Sequence, residues 1–328
     1  MRALLCSSFG PLEDLKLAEV EVPCPGKGQL AVAVAAAGIN FPDLLVIQGK
    51  YQGRPELPFT PGGEAAGLVT AVGEGVSGFA VNDRVIVTQL TGCFAEHCVV
   101  DVSSVISIPA EMDFVTAAGF TITYATSYHA LRDRAKLQAG ETLLVLGAAG
   151  GVGLAAVELG KLMGARVIAA ASSAEKLAVA TQAGADECIN YIDEDLKVRL
   201  KELCGRKGVD VVYDPVGGHY SETALRATGW QGRYLVVGFA SGEIPKIPLN
   251  LPLLKGSQVM GVFWGSFVAH DPQGSAANMT ELFELFKHGK IKPLISEIFP
   301  LADYAAAFAV LSQRKARGKV ILTMGREG

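Results

Sequence analysis

Short apolar runs recur through residues 142–263, each bounded by glycine or polar residues. The predicted strands are Thr142–Leu146, Arg166–Ala171, Glu187–Asn190, Val209–Asp214, Arg233–Gly238 and Gln258–Phe263. Helix-compatible segments lie between most of them. Strands that alternate with helices pair in parallel through right-handed crossovers, and the helices cover both faces of the sheet. The pattern predicts an α/β fold with a doubly wound, six-stranded parallel sheet.

The first run ends in a glycine-rich segment that leads into a helical pattern with apolar residues on one face. Gly147, Gly150 and Gly153 recur at every third position. In a strand-turn-helix unit such glycines allow a sharp turn, close approach of the backbone to a phosphate, and tight packing of the helix on the sheet. The helix N-terminus then attracts the anion. The segment predicts a dinucleotide site; the alternative is a Gly/Ala-rich turn without a ligand.

The end of the second strand bears on which cofactor would bind. An NAD site usually has a carboxylate about 20 residues after the first glycine, whereas this strand ends in alanines followed by Ser172 and Ser173. Two serines and Lys176, one turn into the next helix, suit a phosphate. The alternative is a serine-capped helix with a solvated lysine, and Glu175 argues for caution. The segment favours NADPH over NADH.

Residues 1 to about 120 have a different pattern, rich in Val, Gly and Pro. Alternating runs at 29–35, 67–72, 83–88 and 95–100 are separated by turn residues, which predicts a small, mostly β domain. After the parallel sheet, two helical patterns and a last strand at Lys319–Thr323 follow. We expect this tail to complete the first domain.

Composition narrows the class of protein. With 328 residues, 50% hydrophobic and 19% charged, the chain is long enough for two domains with separate cores. A net charge of -4 gives no electrostatic basis for nucleic-acid binding. Apolar stretches are broken before membrane-spanning length, and the N-terminus leads directly into a strand rather than a signal peptide. We therefore expect a cytoplasmic protein with no membrane or nucleic-acid partner.

The six cysteines, at 6, 24, 93, 98, 188 and 204, form no C-x-x-C pair and no dense cluster. This spacing favours free thiols in a reducing compartment. Cys93, His97 and Cys98 lack the further ligands that a tetrahedral metal site needs nearby in sequence. No metal site is predicted, and the histidines fall in no Ser/His/Asp arrangement.

Several motifs together resemble one known family. They are Gly38–Asp43, Leu57–Gly67, Gly78–Val85, Ala148–Gly153, Met260–Gly265 and Gln313–Val320. Over essentially the whole chain the sequence resembles the zinc-free quinone oxidoreductases, which include zeta-crystallin, of the medium-chain dehydrogenase/reductase superfamily. The resemblance implies a GroES-like catalytic domain at residues 1–121 and 265–328, and a Rossmann dinucleotide-binding domain at residues 122–264.

The chain departs from the zinc-dependent relatives where they carry their ligands. Asn40 stands near the position of a zinc-binding Cys, Gly63-Glu64 stands where a His-Glu pair would fall, and a four-cysteine lobe is missing. Alcohol oxidation without a Lewis acid loses its main electrostatic aid. The resemblance therefore implies hydride transfer from C4 of the reduced nicotinamide to an electron-poor acceptor such as a quinone or an activated alkene.

The resemblance also implies site residues. Asn40 and Tyr51 are the predicted catalytic residues, Asn40 beside the nicotinamide and Tyr51 as an aromatic wall or a hydroxyl; a turn residue and a loop-packing aromatic are the respective alternatives. The predicted cofactor-binding residues are Asn40, Thr126, Gly150, Gly151, Val152, Ser172, Ser173, Lys176, Tyr191, Phe239, Phe263, Arg317 and Lys319.

Three functions stay open. The first is an NADPH:quinone oxidoreductase acting on a small-molecule quinone or enone. The second is an enoyl-thioester reductase, for which Lys50 and Arg54 are the candidates to hold the phosphates of a CoA or carrier protein. The third is an NADPH-binding protein without turnover. The apolar last strand, Val259 to Phe263, predicts a homodimer by edge pairing.

Overall fold

The computed structural model describes residues 1–325. The strands are β1 (Arg2–Leu5), β2 (Lys16–Glu19), β3 (Gln29–Ile39), β4 (Glu64–Val72), β5 (Arg84–Thr88), β6 (His97–Asp101), β7 (Val105–Ser107), β8 (Thr142–Leu146), β9 (Arg166–Ala171), β10 (Glu187–Asn190), β11 (Val209–Asp214), β12 (Thr228–Val236), β13 (Gln258–Gly261), β14 (Ile295–Pro300) and β15 (Lys319–Thr323).

The α-helices are α1 (Phe41–Ile47), α2 (Phe114–Ala118), α3 (Thr121–Tyr128), α4 (Gly151–Leu162), α5 (Ala174–Gln182), α6 (Leu196–Cys204), α7 (His219–Ala227), α8 (Asn250–Lys255), α9 (Trp264–His270), α10 (Pro272–Lys287) and α11 (Tyr304–Ser312). Short 3-10 helices lie at Leu12–Asp14, Val102–Ser104 and Leu301–Asp303, and a π-helix at His129–Arg134 continues α3.

The chain divides into two compact units. The first unit comprises Met1–Ile122 and Pro293–Gly328, of which residues 326–328 lie outside the described part, and the second unit comprises Thr123–Lys292. The sequence prediction instead ended the nucleotide-binding domain at residue 264. Helices α9 and α10 contact the π-helix of this second unit: the ring of Phe267 on α9 stacks on His129 with centroids 3.9 Å apart, and Arg132 Nη1 donates to Asn278 Oδ1 on α10 at 3.0 Å.

The second unit is built on a parallel sheet of six strands in the order β10-β9-β8-β11-β12-β13. Its central strand β8 is buried along its whole length. Full burial of each Leu or Val side chain is worth about 1.5–3 kcal/mol, which fixes such a strand between two helical layers. The order reverses between β8 and β11, the point at which doubly wound sheets bind ligands beyond their carboxyl ends. The predicted doubly wound fold is confirmed.

The first unit contains a seven-stranded sheet in the order β14-β15-β3-β4-β5-β7, with β6 also paired to β3, and a separate hairpin of β1 and β2. The late strand β15 lies antiparallel to β3, with Val320 opposite Ile39. Strand β4 pairs β3 on its other side, with Ala65 opposite Ala37. This register brings the start of β15, the end of β3 and the start of β4 together.

Candidate functional site: a nucleotide-binding edge and a buried Asn-Glu-Lys cluster

Glycine is needed at two positions after β8, each for a different structural reason. Gly147 has φ +58°, a left-handed conformation that favours glycine, and a β-carbon there would lie 2.8 Å from Cγ2 of Val216. A β-carbon on Gly153 would lie 2.2 Å from the carbonyl oxygen of Gly147, so only glycine lets α4 approach the turn. The predicted turn and packing functions of these two glycines agree with this geometry.

Gly150 is different because no neighbour among residues 1–325 requires a glycine there. It is the N-cap of α4 with φ -74°, and a β-carbon on it would meet only the carbonyl oxygen of Gly147, at an ordinary 3.5 Å. Gly151 and Val152, both half-buried, form the first turn of the helix, whose N–H groups have no partner within the helix. The missing side chain leaves a space that suits a phosphate at a helix N-terminus.

The first turn of α4 is held from the side by Ser127, which is completely buried on α3. Ser127 Oγ donates to the carbonyl oxygen of Val152 at 2.8 Å and lies 2.9 Å from the hydroxyl of Tyr213. A serine has one hydroxyl hydrogen, so Tyr213 is the donor in the second bond. Burial raises the pKa of Tyr213, which therefore stays a neutral donor. Thr126, the predicted nicotinamide contact, precedes Ser127 and is half-buried.

The end of β9 carries the predicted phosphate-binding residues. Lys176 Nζ donates to Ser172 Oγ at 2.9 Å, and the Lys176 N–H donates to Ser173 Oγ at 3.4 Å, so both serines lie at the start of α5 beside the ammonium group. The N–H of Tyr191 donates to Ala171 O at 3.1 Å, which brings the end of β10 to the same place. Glu175 is exposed in the first turn of α5. The four predicted residues therefore lie together.

Two predicted aromatic residues follow the next strands of the same sheet. Phe239 comes after β12, and its Cδ1 would lie 2.9 Å from a β-carbon on Gly217. Phe263 comes after β13 and is 52% exposed. Because the carboxyl ends of parallel strands meet at one edge, the structure brings these residues to the edge that carries the glycine turn and the serines.

The first unit holds a buried polar cluster formed by Asn40, Glu64 and Lys319. Lys319 Nζ donates to Asn40 Oδ1 at 2.5 Å and to Glu64 Oε2 at 2.8 Å, and the Lys319 and Glu64 side chains are 5% and 0% exposed. Asn40 Nδ2 donates to Glu64 Oε2 and to the carbonyl oxygen of Gly38, both at 3.2 Å. The remaining oxygen of Glu64 accepts the N–H of Ile122 at 2.8 Å. The buried charges are thus paired and bonded.

The absence of a side chain at Gly38 makes room for this cluster. A β-carbon at this position would lie 2.2 Å from the carbonyl oxygen of Ala118, 2.7 Å from Cε of Lys319 and 3.0 Å from Oε2 of Glu64. Any other residue at position 38 would push the lysine and glutamate away from β3. The glycine is therefore part of what places the ammonium group against Asn40.

Asp43 lies beside the cluster, at the third position of α1, and is 3% exposed. Its carboxylate accepts the N–H of Asn40 at 2.7 Å and the N–H of Gly63 at 3.0 Å. Burial, which outweighs these two bonds and the charge of Lys319, raises the pKa of Asp43 to about 7, with Glu64 adding to the rise. Burial and then the charge of Asp43 raise the pKa of Tyr51. The predicted catalytic residue Tyr51 therefore lies within the field of Asp43.

Two charged residues predicted near the cofactor occupy different environments. Arg317 is exposed in the segment before β15. Lys319 is buried, and its ammonium group is directed at Asn40 and Glu64. Contact of either residue with a cofactor stays a prediction.

Sequence reasoning missed Glu64, Asp43 and Gly38 as members of the site. All three fall inside the motifs that carry the family resemblance, Gly38–Asp43 and Leu57–Gly67. That clustering was the available signal, but only strand register shows that Lys319 and Asn40, 279 positions apart, meet.

Within residues 1–325 no group of three or more His, Cys, Asp or Glu side chains is arranged to hold a metal ion. Among the helices of the same residues, none combines the length and the apolar character needed to cross a membrane.

A doubly wound unit with a glycine turn that suits a phosphate, in one chain with a β-rich unit that holds a buried Asn-Glu-Lys cluster, indicates a two-domain, dinucleotide-binding protein. Residues 26–110 match the family model described as alcohol dehydrogenase GroES-like domain, and residues 151–284 match the one described as zinc-binding dehydrogenase. The matches support the predicted fold class, a GroES-like domain with a nucleotide-binding domain.

The chain is similar to whole proteins as well. It is 42% identical to a quinone oxidoreductase-like protein 2 homolog of Nematostella vectensis, over 98% of this chain and 88% of the relative. The quinone oxidoreductase of Escherichia coli, solved in complex with NADPH, has a TM-score of 0.93 and 32% identity, covering 98% of this chain and 100% of that one. The Pseudomonas syringae quinone oxidoreductase has a TM-score of 0.93 and 33% identity, covering 98% of this chain and 99% of that one. The chain belongs to the quinone oxidoreductase family of the medium-chain dehydrogenase/reductase superfamily, as predicted.

Proposed function

We propose that this protein is an NADPH-dependent reductase that transfers a hydride to a quinone or another conjugated, electron-poor acceptor without a metal. The observation that carries the proposal is the end of β9, where Lys176 and Ser172 are bonded at 2.9 Å, beside the space left by Gly150. Ser172, Ser173, Lys176 and Tyr191 would hold the 2′-phosphate, and the turn before α4 the diphosphate. The NADPH complex of the Escherichia coli quinone oxidoreductase supports the cofactor, and the names of the relatives support the acceptor class.

The bound cofactor would supply the hydride, and the chain's own residues would orient the acceptor. Asn40 uses both amide hydrogens and its oxygen within the cluster, so it has no free N–H for a substrate. It can present a fixed polar surface but cannot act as an acid. The raised pKa of Tyr51 makes its hydroxyl a weak acid at neutral pH.

These properties favour a quinone over an alkene. A quinone that gains a hydride and one proton becomes a hydroquinone while NADPH becomes NADP⁺, and the proton reaches an oxygen directly from water. An enoyl thioester needs a proton on carbon, for which a positioned acid helps. Arg54, a candidate for holding its phosphates, lies instead over the ring of Phe9 at 4.8 Å. We therefore propose the quinone as acceptor and the enoyl thioester as the alternative.

The acceptor is tested by steady-state oxidation of NADPH with 1,4-benzoquinone, 9,10-phenanthrenequinone, an enone and crotonyl-CoA. We expect turnover with the quinones to exceed that with crotonyl-CoA at least tenfold. The Asn40→Ala variant should lower kcat for quinones while the KM for NADPH changes little. Faster turnover with crotonyl-CoA would replace the proposal with the thioester alternative, and binding without any turnover would leave only a binding protein.

Cofactor choice is tested with Lys176→Met. Loss of one ammonium group at the 2′-phosphate should raise the KM for NADPH at least tenfold and leave that for NADH unchanged, because only NADPH carries that phosphate. Lys197→Met, an exposed lysine on α6, is the matched control and should change neither value. Equal loss for both nucleotides would contradict the assignment of Lys176 to the phosphate.

A further inference from the structure

Asp214, the last residue of β11, is 2% exposed and accepts four hydrogen bonds. Its Oδ1 accepts the N–H groups of Val216 at 2.7 Å and Gly217 at 2.8 Å. Its Oδ2 accepts the hydroxyl of Ser221 at 2.8 Å and that of Tyr234. One oxygen thus holds the backbone after the strand, and the other is tied to two side chains of the surrounding fold.

The backbone held by Oδ1 forms the turn between β11 and α7. Gly217 and Gly218 have φ of +71° and +64°, and a β-carbon on either would collide with the segment 239–243. The N–H of Gly218 donates to Glu243 O at 3.1 Å. Within this turn Val216 extends toward the glycine turn of the nucleotide-binding edge. Its Cγ2 would lie only 2.8 Å from a β-carbon on Gly147, so it packs directly against the first glycine of the phosphate turn.

The same turn also holds the loop that carries Phe239. The N–H of Ala240 donates to Pro215 O at 3.0 Å, and the N–H of Ser241 donates to Val216 O at 2.8 Å. The ring of Phe239 lies over Gly217, within 2.9 Å of the position of a β-carbon there. A change in the turn after Asp214 would therefore reach two predicted cofactor contacts at once: the glycine turn through Val216 and the aromatic ring through Gly217.

We propose that Asp214 is a positioning residue for the nucleotide: it fixes the turn at residues 215–218, which in turn sets the shape of the glycine turn and the place of Phe239. Asp214 itself acts through Val216 and Gly217 and need not touch the cofactor. The proposal rests on the proposed function, since it assumes that a dinucleotide lies at this edge. It assigns the effect to the two backbone bonds of Oδ1 rather than to the charge of the carboxylate.

Two substitutions at one position separate these causes. Asp214→Ala removes the acceptor and leaves the N–H groups of Val216 and Gly217 without it. Asp214→Asn keeps one carbonyl oxygen for both N–H groups, and its amide can donate to the hydroxyl oxygens of Ser221 and Tyr234, which then act as acceptors. Ser221→Ala is the matched control, because it removes a partner of Oδ2 and leaves the bonds of Oδ1 in place.

The readout is the Kd of each full-length variant for two ligands, measured by calorimetry. NADPH would span the whole edge, whereas adenosine 2′-monophosphate would reach only the end of β9. We expect Asp214→Ala to raise the Kd for NADPH at least tenfold and to change the Kd for adenosine 2′-monophosphate less than twofold. The Kd values of Asp214→Asn and Ser221→Ala for both ligands should stay within threefold of those of the unmodified protein.

Other results overturn the proposal in distinguishable ways. Unchanged NADPH binding by Asp214→Ala would show that the turn does not position the nucleotide. An equal loss of affinity for both ligands would show that Asp214 has a purely structural role. An equal loss of NADPH affinity in Asp214→Asn and Asp214→Ala would assign the effect to the charge of the carboxylate. Failure of the unmodified protein to bind either ligand would overturn the proposed function itself.

If Asp214→Ala does not fold, Val216→Ala carries the test. It removes the methyl groups that pack on Gly147 and leaves the backbone hydrogen bonds of Val216 in place. We expect it to raise the Kd for NADPH at least fivefold and to leave the Kd for adenosine 2′-monophosphate unchanged. Unchanged NADPH binding would overturn the part of the proposal that runs through Val216.

Discussion

The orientation of the Asn40 amide follows from its two charged neighbours. A lysine ammonium only donates hydrogen bonds and a carboxylate only accepts them, so Oδ1 must face Lys319 and Nδ2 must face Glu64. The sequence pointed to Asn40 and Lys319 separately, through the family resemblance. Their contact could not be predicted, because no spacing rule links residues that meet only when β15 pairs with β3.

Lys319→Met tests the energetic part of this arrangement. It leaves Glu64, 0% exposed, as an unpaired buried charge, and breaking a buried pair in this way costs about 3–5 kcal/mol. We expect a large fall in the urea midpoint, measured by circular dichroism, and partial recovery in the double variant Lys319→Met/Glu64→Gln.

The matched control for that change is Lys287→Met, which removes a lysine from an exposed pair with Glu284 and should leave the midpoint in place. A Lys319→Met midpoint equal to that of the unmodified protein would refute the idea that the buried pair is interdependent.

Asp43 should give stability a characteristic pH dependence. Its pKa is raised from an ordinary value of 3.8 to about 7, so between these values the folded protein keeps a proton that the unfolded chain has lost. The stability that comes from this bound proton is therefore complete below about pH 4 and is lost as the pH rises through about 7. The free energy of unfolding falls by at most about 1.4 kcal/mol per pH unit over this range.

The measurement compares the unfolding free energy of the unmodified protein and of Asp43→Asn at several pH values. Because the variant cannot titrate at this position, the stability advantage of the unmodified protein should shrink from pH 4 to pH 7. An advantage that grows over this range would mean that the pKa of Asp43 is lowered.

Among the elements, the buried strands were the easiest to predict. The predicted bounds of β9, β11 and β15 agree with the structure because these strands, paired on both sides, are largely apolar runs. The predicted bounds of β10 also agree, although it is a half-buried edge strand. The prediction started β12 at Arg233, whereas it begins at Thr228, since Gly229 and Gly232 hide the first part of the strand. The packing of α9 and α10 with the second unit was also not predictable, because it depends on ring and polar contacts between side chains distant in sequence.

The glycine turn offers a pair of matched substitutions. Gly153→Ala places a β-carbon 2.2 Å from Gly147 O and should cost about 3 kcal/mol, the upper end for overpacking. Gly150→Ala meets only an ordinary contact and should cost less than about 1 kcal/mol, but its methyl group fills the space for the phosphate. We expect at least tenfold weaker NADPH binding for Gly150→Ala with little loss of thermal stability. Normal NADPH binding by this variant would place the diphosphate elsewhere.

Strand β13 lies at the edge of the six-stranded sheet, and Val259 on it is 47% exposed. Unpaired edges favour association, so a homodimer through this strand stays our prediction. Val259→Asp should convert a dimer to a monomer in size-exclusion chromatography with light scattering. Ile298→Asp, on the edge strand β14 of the other sheet and 54% exposed, is the control and should leave the mass unchanged. A monomeric unmodified protein at micromolar concentration would refute the prediction.

For the whole molecule, each unit contributes a different chemical capacity. The second unit offers a nucleotide-binding edge whose serines and lysine suit a 2′-phosphate, and the first unit offers a polar cluster that fixes Asn40. Length and composition were enough to predict two domains, and the strand pattern was enough for the class of the second. The composition of the first unit's cluster depends on long-range register, which no local pattern reports.

The most direct test of the central claim is a single-turnover experiment. The protein is saturated with NADPH, or with NADPH carrying deuterium at the transferred C4 position, and mixed with 9,10-phenanthrenequinone in a stopped-flow instrument. We predict rapid oxidation of NADPH that is severalfold slower with the deuterated cofactor, because hydride transfer to the quinone is the chemical step. Tight NADPH binding with no oxidation by the quinone would contradict the claim that this protein is a quinone-reducing enzyme.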